Sequence, residues 1–463
     1  MKRGVTGLFL LLATACVVGG CGAKKDAQID ASAQAAEGDA AEETADTQTE
    51  TESTDGEGTD GAGSGQDAQT GNAGDGAGGS AADGTAGEEN QPVSLTLWYT
   101  QPELEAYFTQ AAADYETQTG NSVTAVQVPA LDYIEAINDA SVKDGDYPDL
   151  FVATPDLLEK AKLAGLTQRA NGDICSTDNF SEKALTAVTY KDEKIAYPFY
   201  ADTSVLVYNE NYVSEAPGSI EDIQNFSENF EGDGQIQDIF VWNVNDIFVD
   251  FFTIGNYVNL GGTAGDRVQE MTLNSEEIRN CLTVYQELSQ FFAIDRSAVS
   301  ENQIVQDFAD GKIVYAIVRD DSIQKLDELL AEGQFSYGVA PVPDLNSELV
   351  VRPLSITHSL VVNGYTKHPA AADALAGYLT VTAADSLYEQ TGNIPVKNNV
   401  TFANEKLSVV RAQYEEAVEV PKIMQMSSYW LLMESVFSDI WTGADVTERM
   451  AEAENSMLTA LGQ

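Results

Sequence analysis

Few residues in this chain can act as a nucleophile, a proton shuttle or a soft metal ligand. In 463 residues there are two histidines, His358 and His368, and four cysteines, Cys16, Cys21, Cys175 and Cys281. A serine or cysteine nucleophile needs an imidazole beside it, and a zinc site needs several N or S ligands at close spacing. Neither Cys175 nor Cys281 belongs to a C-x-x-C or a Cys/His pattern. His-based nucleophilic catalysis and zinc hydrolysis are therefore poorly supported, and no cofactor or metal is implied.

Cys21 has a chemistry of its own, set by what precedes it. Met1-Lys2-Arg3 is a positive start, Val5 to Val18 is mostly apolar, and Val18-Gly19-Gly20 places small residues against Cys21. That order is a secretory signal whose first mature residue is a thiol. Val18-Gly19-Gly20-Cys21 resembles the bacterial lipobox, in which the cysteine is diacylated; two chains hold a protein on a membrane without a spanning helix. Ala13-Thr14-Ala15-Cys16 is a rival cut site with a shorter apolar run. The apolar run is also short of the ~20 residues that a span requires. Residues 1–20 thus read as a lipoprotein signal peptide, and 21–91 as a lipid-anchored acidic tether on the extracytoplasmic face of the cell membrane. From Gly22 to Asn90 the chain is mostly Gly, Ala, Thr, Ser, Asp and Glu, with Lys24 and Lys25 its only cations and Ile29 its single large apolar residue. Such a stretch buries too little surface to offset its ordering entropy. As a flexible coil of about 70 residues it would span roughly 45 Å.

Of the formal charge of −50, the tether carries 17 acids and 2 bases, the leader +2, and the remainder −37. A body so acidic repels nucleic acid and anionic lipid.

Some 370 residues follow the tether, enough for two domains. Val93 to Tyr99 alternates as a strand. Leu104, Tyr107, Phe108, Ala111, Ala112 and Tyr115 fall at helical spacing, with Gly120 as the stop. Val123–Val128 is a second strand, Tyr133–Val142 a second helix and Asp149–Ala153 a third, apolar strand. This alternation predicts βαβ units and a parallel sheet, in an α/β fold. Ligands of such sheets sit beyond the carboxyl ends of the strands, which directs attention to Trp98–Glu103 and Thr154–Asp156.

Several segments then resemble, in order, the family 1 extracellular solute-binding proteins of ABC importers, the maltose-binding-like receptors. They are Tyr147-Pro148-Asp149-Leu150-Phe151, the run Ala196 to Asp202, the F-x-x-G-K segment at Phe308–Lys312, Phe335–Pro343, Gly392-Asn393-Ile394-Pro395 and Met426-Ser427-Ser428-Tyr429-Trp430. The resemblance covers essentially the whole body. It implies a two-lobed periplasmic-binding-protein type II fold with a hinge, whose lobes close over a solute. Carried over, the crossings fall near Tyr200–Thr203, Val339–Pro343 and Asn393–Val396. One lobe is then 92–201 with 344–392, and the other 202–343 with 393–463. Cys175 and Cys281 fall in different lobes, so both are expected to be free thiols.

A sugar site needs paired hydrogen-bonding groups beside flat rings. Trp98 ends the first strand, as a cleft ring or as core. Thr100, Gln101 and Glu103 make a polar rim or cap the next helix. Asp156 stands where similar proteins hold sugar hydroxyls, or caps Leu157–Ala164. Asp202 aligns with an acidic ligand residue at the first crossing. Trp242 to Phe248 resembles the stretch that supplies an acid and a ring, here Asp246 and Phe248. Trp430 matches the family's stacking tryptophan, although Leu431, Leu432, Val436 and Ile440 follow it on a helical stripe.

Two departures from the family stand out. Ala153 occupies a place where maltodextrin binders carry an aromatic residue, and Arg319-Asp320-Asp321 replaces a G-P-W, losing a ring and gaining two acids. The reading is a monomeric, non-enzymatic substrate-binding lipoprotein that delivers a sugar or short oligosaccharide to an ABC permease. Asp202, Asp246, Asp320 and Asp321 leave open a cationic solute such as a polyamine. Paired carboxylates leave open a lipid-anchored glycoside hydrolase.

Overall fold

The computed structural model describes residues 91–143, 146–232 and 234–461. The expected leader, Cys21 and the tether up to residue 90 lie outside the described residues. The body opens with β1 (Ser94–Tyr99), α1 (Glu105–Thr119), β2 (Ser122–Gln127), α2 (Tyr133–Val142), β3 (Leu150–Ala153) and α3 (Pro155–Leu163). In β1 the buried residues are Leu95, Leu97 and Tyr99, and Ser94, Thr96 and Trp98 project from the other face, as a period of two requires. Helix α1 ends at Gly120, whose φ of +79° suits a residue without a Cβ. All four residues of β3 are buried, as a strand covered on both faces must be. Pro155 opens α3, where its missing N–H removes a donor that would have no helical partner.

Seven further strands complete the framework: β4 (Tyr197–Asp202), β5 (Ser204–Asn209), β6 (Asp238–Val241), β7 (Ile313–Arg319), β8 (Tyr337–Ala340), β9 (Leu354–Val362) and β10 (Ile394–Pro395). The first sheet runs β10-β4-β9-β3-β1-β2, with Val418–Glu419 added alongside β9; the second runs β8-β5-β7-β6. Strand β1 pairs in parallel with β2 and β3. The sheet is nevertheless mixed, because β9 is antiparallel to β3 and to β4. This corrects the expectation of a parallel sheet. Strands β3 and β4 run towards the second lobe, whereas β9 comes back from it and enters the sheet from the opposite end.

Each sheet has its own core. The first gathers Leu97, Phe108, Ile137, Phe151, Leu158, Phe199 and Leu360. The second gathers Leu206, Trp242, Phe251, Tyr285, Ile317, Tyr429 and Trp441 on one face of its sheet. Val205, Val207, Phe308, Val318 and Leu326 cover the other face. Cys175 belongs to the first core and Cys281 to the second, and both are unpaired.

Three stretches of chain pass between these cores. Only Thr203 separates β4, in the first sheet, from β5, in the second. In β9, Leu354 packs in the second core and Leu360 in the first. Leu345 and Val351 also pack in the second core, so the return to the first lobe takes place inside β9. Strand β10 pairs with β4, yet Ile394 packs among second-lobe residues and Val396 in the first core.

Candidate functional site

A cavity of about 180 Å³ opens where these crossings meet. It is lined by Gln101 and Glu103 after β1, Tyr200 and Asp202 from β4, Arg319, Asp320 and Asp321 at the end of β7, His358 from β9, and Asn393 before β10. Both sheets therefore direct their strand ends to one place.

Charge organises the floor. Nε2 of His358 donates to Oδ2 of Asp202 at 3.0 Å, and the guanidinium of Arg319 lies 3.7 Å from the same oxygen. Burial alone would raise the Asp202 carboxyl, but His358 and then Arg319 outweigh it and hold the group below its usual range. Arg319 also reaches Oδ2 of Asp246 at 3.4 Å and lies 4.6 Å over the ring of Phe248, a cation–π stack. Asp246 is fixed in turn as an N-cap, accepting from the amide of Phe248 at 2.9 Å. Glu301 secures the turn after β7 by accepting from the amide of Arg319 and the hydroxyl of Ser322, each at 2.9 Å.

Asp320 is almost fully buried and accepts from the amide of Thr203 at 2.8 Å. Burial first, then the charges of Asp202 and Asp321, push its carboxyl well above the usual range. Thr203 donates its own hydroxyl to the carbonyl of Leu354 at 3.1 Å. One linker residue thus ties β4, β7 and β9 together.

Three buried polar atoms on the lining have no hydrogen-bond partner: Oη of Tyr200, Nδ1 of His358 and Nδ2 of Asn393. Such atoms are costly unless something meets them. No residue lining the three larger cavities has one. One of these, of about 550 Å³, contains Lys183, Arg352, Glu419 and Lys422. There Glu419 accepts from Ser355 and Thr357, and Lys422 donates to the carbonyls of Thr186 and Ala264, so the polar groups already serve the fold.

Of the residues singled out from the sequence, Glu103, Asp202 and Asp320 line the cavity together with Gln101 and Asp321. Asp246 and Phe248 join it through Arg319, but the face of Phe248 is covered by the guanidinium. Asp156 occupies the first turn of α3, where burial first raises its carboxyl and the field of His358 opposes the rise. Neither Asp156 nor Thr100, Trp98 or Trp430 is among the lining residues. Thr100 lies just before the rim and accepts through its carbonyl from Gln127 at 3.5 Å. Trp98 packs beside the first core, its carbonyl accepting from Tyr133 at 2.9 Å. Trp430 rests beside the second core, edge-on to Phe251 at 5.5 Å and to Tyr429 at 5.0 Å.

Sequence reading passed over Arg319, His358, Tyr200 and Asn393. Arg319 had a signal, since it adjoins two acids at the end of an apolar strand. His358 had a weaker one, as a lone imidazole inside an apolar run. It stacks on Tyr200 with ring centres 4.1 Å apart and planes 9° apart. Among the described residues, no group of three or more His, Cys, Asp or Glu is placed to hold a metal ion, and no helix is long and apolar enough to cross a membrane.

Two α/β lobes joined by several crossings, with a polar cavity between the strand ends, define the two-lobed type II fold of periplasmic binding proteins. Among solved structures, the extracellular solute-binding protein from Staphylococcus aureus in complex with maltose superimposes with a TM-score of 0.71 at 20% identity, covering 81% of this chain and 100% of that one. Residues 110–415 match the family described as bacterial extracellular solute-binding protein, and the chain belongs to that family. Curated relatives include the maltodextrin-binding protein MdxE of Bacillus subtilis (strain 168), 24% identical over 362 residues, which are 74% of this chain and 84% of that protein. Another is the maltooligosaccharide ABC transporter solute-binding lipoprotein of Streptococcus pneumoniae serotype 4, 22% identical over 361 residues, or 74% and 83% of the two chains.

Proposed function

We propose that this protein captures a saccharide between its lobes and delivers it to the membrane subunits of an ABC importer, acting as a monomer tethered through lipid on Cys21. The observation that carries the reading is the cavity at the crossings, to which both lobes contribute groups and in which Tyr200, His358 and Asn393 hold unpartnered polar atoms. A polyhydroxylated solute supplies paired donors and acceptors for such atoms. The relatives named as maltodextrin and maltooligosaccharide binders support a carbohydrate, and the one named as an ABC transporter lipoprotein supports the importer and the anchor. These names are those of binding proteins, which supports capture without turnover.

In this reading the contact residues are Gln101, Glu103, Asp202, Asp320 and Asp321 on the floor, with Thr100 and Asp156 on the first-lobe rim. Trp98, Asp246, Phe248 and Trp430 then support the walls, Asp246 and Phe248 by positioning Arg319. The lobes divide at Thr203, within β9 and around β10. Since closure brings further groups to the solute, the solute binds the closed form better and shifts the population towards it.

The test is a thermal-shift panel of glucose, maltose, maltotriose, longer maltodextrins and a glucosamine trimer. A ligand at 100 times its Kd stabilises the folded state by about 2.7 kcal/mol, a shift of a few degrees. A shift that is reduced in Asp202→Asn is expected. If no saccharide moves the midpoint, the carbohydrate reading fails.

A further inference from the structure

The cavity contains more acid than it neutralises. Its lining holds two groups able to carry positive charge, Arg319 and His358. Both are already engaged: His358 with Asp202, and Arg319 with Asp202, Asp246 and the ring of Phe248. Glu103 and Asp321 line the same cavity, are exposed, and have no cation within ion-pair distance among the described residues. Burial first, then the charges of Asp202 and Asp321, raise the Glu103 carboxyl against the opposing field of His358.

Flat apolar surface is scarce by the same geometry. The ring of Tyr200 is stacked against His358, and that of Phe248 against Arg319. Trp98 and Trp430 pack beside the cores and not on this lining. A neutral sugar held mainly by rings on its CH faces has no free ring here. What the lining offers instead is the phenol oxygen of Tyr200, the amide nitrogen of Asn393 and the free ring nitrogen of His358, together with two unpaired carboxylates.

We infer that the solute is a basic saccharide, one whose ring seated on this floor carries a protonated amine directed at Glu103 and Asp321. This deepens the saccharide-capture reading and rests on it. The ammonium supplies three donors and a positive charge to carboxylates that have no ion-pair partner. The neighbouring hydroxyls meet Tyr200, His358 and Asn393. The amine also relieves the mutual repulsion of Glu103, Asp202 and Asp321, so each of these groups favours the loaded state over the empty one.

The test uses the full chain in detergent at pH 7 and calorimetric titration with three probes: a glucosamine trimer, its fully N-acetylated counterpart and maltotriose. The proposal expects the glucosamine trimer to bind at least tenfold tighter than either neutral trimer. It also expects Glu103→Gln with Asp321→Asn to remove that preference, bringing the three affinities within threefold. Both side chains are exposed, so the double variant should retain the wild-type melting temperature. Raising salt should weaken only the amine-bearing probe. Equal or tighter binding of a neutral trimer, with no effect of the double variant, would overturn the inference while leaving saccharide capture intact. If none of the three binds and spermidine does, saccharide capture itself is wrong, and this inference falls with it.

Discussion

Arg319→Gln puts the organisation of the cavity floor to a quantitative test. The guanidinium lies 3.7 Å from Asp202 and 3.4 Å from Asp246. At an effective dielectric of about 20, one such contact is worth roughly 4–5 kcal/mol before desolvation is subtracted. Breaking a buried pair by removing one member costs about 3–5 kcal/mol, because the remaining charge stays buried. The Arg319 side chain keeps 31% of its exposure, so screening lowers the expectation to about 2–4 kcal/mol at pH 7. The loss should also depend on pH. The folded-state pKa of Asp202 is depressed, so its contribution is present above the unfolded value near 4 and is lost as pH falls through the folded value. Once Asp202 is protonated, its share of the loss disappears, while the lost stack on Phe248, about 0.5–1 kcal/mol, remains. Urea unfolding followed by circular dichroism at pH 7 and in acid well below the folded value of Asp202 measures both quantities. Arg319→Lys restores charge without the planar stack and should recover about half of the deficit. A deficit of the same size at both pH values, or none at pH 7, would refute the network.

Three further expectations follow from other parts of the molecule. Asp250 is buried and accepts from Trp242 at 2.8 Å and Tyr285 at 3.0 Å, and burial pushes its carboxyl up to about 8. Between about pH 4 and pH 8 the folded protein keeps a proton that the unfolded chain loses, so stability falls with rising pH by up to ~1.4 kcal/mol per unit; Asp250→Asn should flatten that slope in urea melts, and parallel profiles would exclude the assignment. Asp202→Asn should weaken binding of the cognate solute by about 1–3 kcal/mol in calorimetry with little change in melting temperature. Gly364→Ala would place a Cβ 2.1 Å from the carbonyl oxygen of Gly165; a loss of about 1–3 kcal/mol is expected, and a wild-type midpoint would show that this backbone contact is not tight.

The first lobe was legible because its signals are local. Helix α2 occupies Tyr133–Val142 as its apolar spacing predicts, and Gly120 stops α1. The mixed sheet was not legible. The direction of β9 depends on a chain that leaves the lobe at Thr203 and returns through Leu354, a fact of topology and not of periodicity. The site was legible in part for the same reason. Asp202 and Asp320 announce themselves as acids at strand ends, but the partners that set their chemistry are remote. His358 meets Asp202 from 156 positions away, and only the register of β9 on β4, with an irregularity after His358, decides that they touch. The alternation in β1 gives Trp98 a face opposite Leu97 and Tyr99, but it cannot say whether that face looks onto the cavity or onto the packing beside it.

The position of the charges relative to the hinge has a mechanical consequence. Asp202 is the last residue of a first-lobe strand, while Arg319 and Asp246 belong to the second lobe. A rotation of the second lobe about Thr203 must change the separation of Arg319 from Asp202. The bond between Asp320 and the Thr203 amide is made to the linker residue itself, about which that rotation is taken. Asp202 also keeps His358 in either arrangement, because both side chains project from paired strands of the first sheet. The floor is thus divided into a part fixed to the first lobe, a part fixed to the linker residue and a part that moves. A ligand can shift the equilibrium between open and closed forms only through differential contacts, and the moving part is where those contacts must arise. Glu103 moves with the first lobe and Asp321 with the second. A group held between them would therefore couple its own binding to the angle between the lobes.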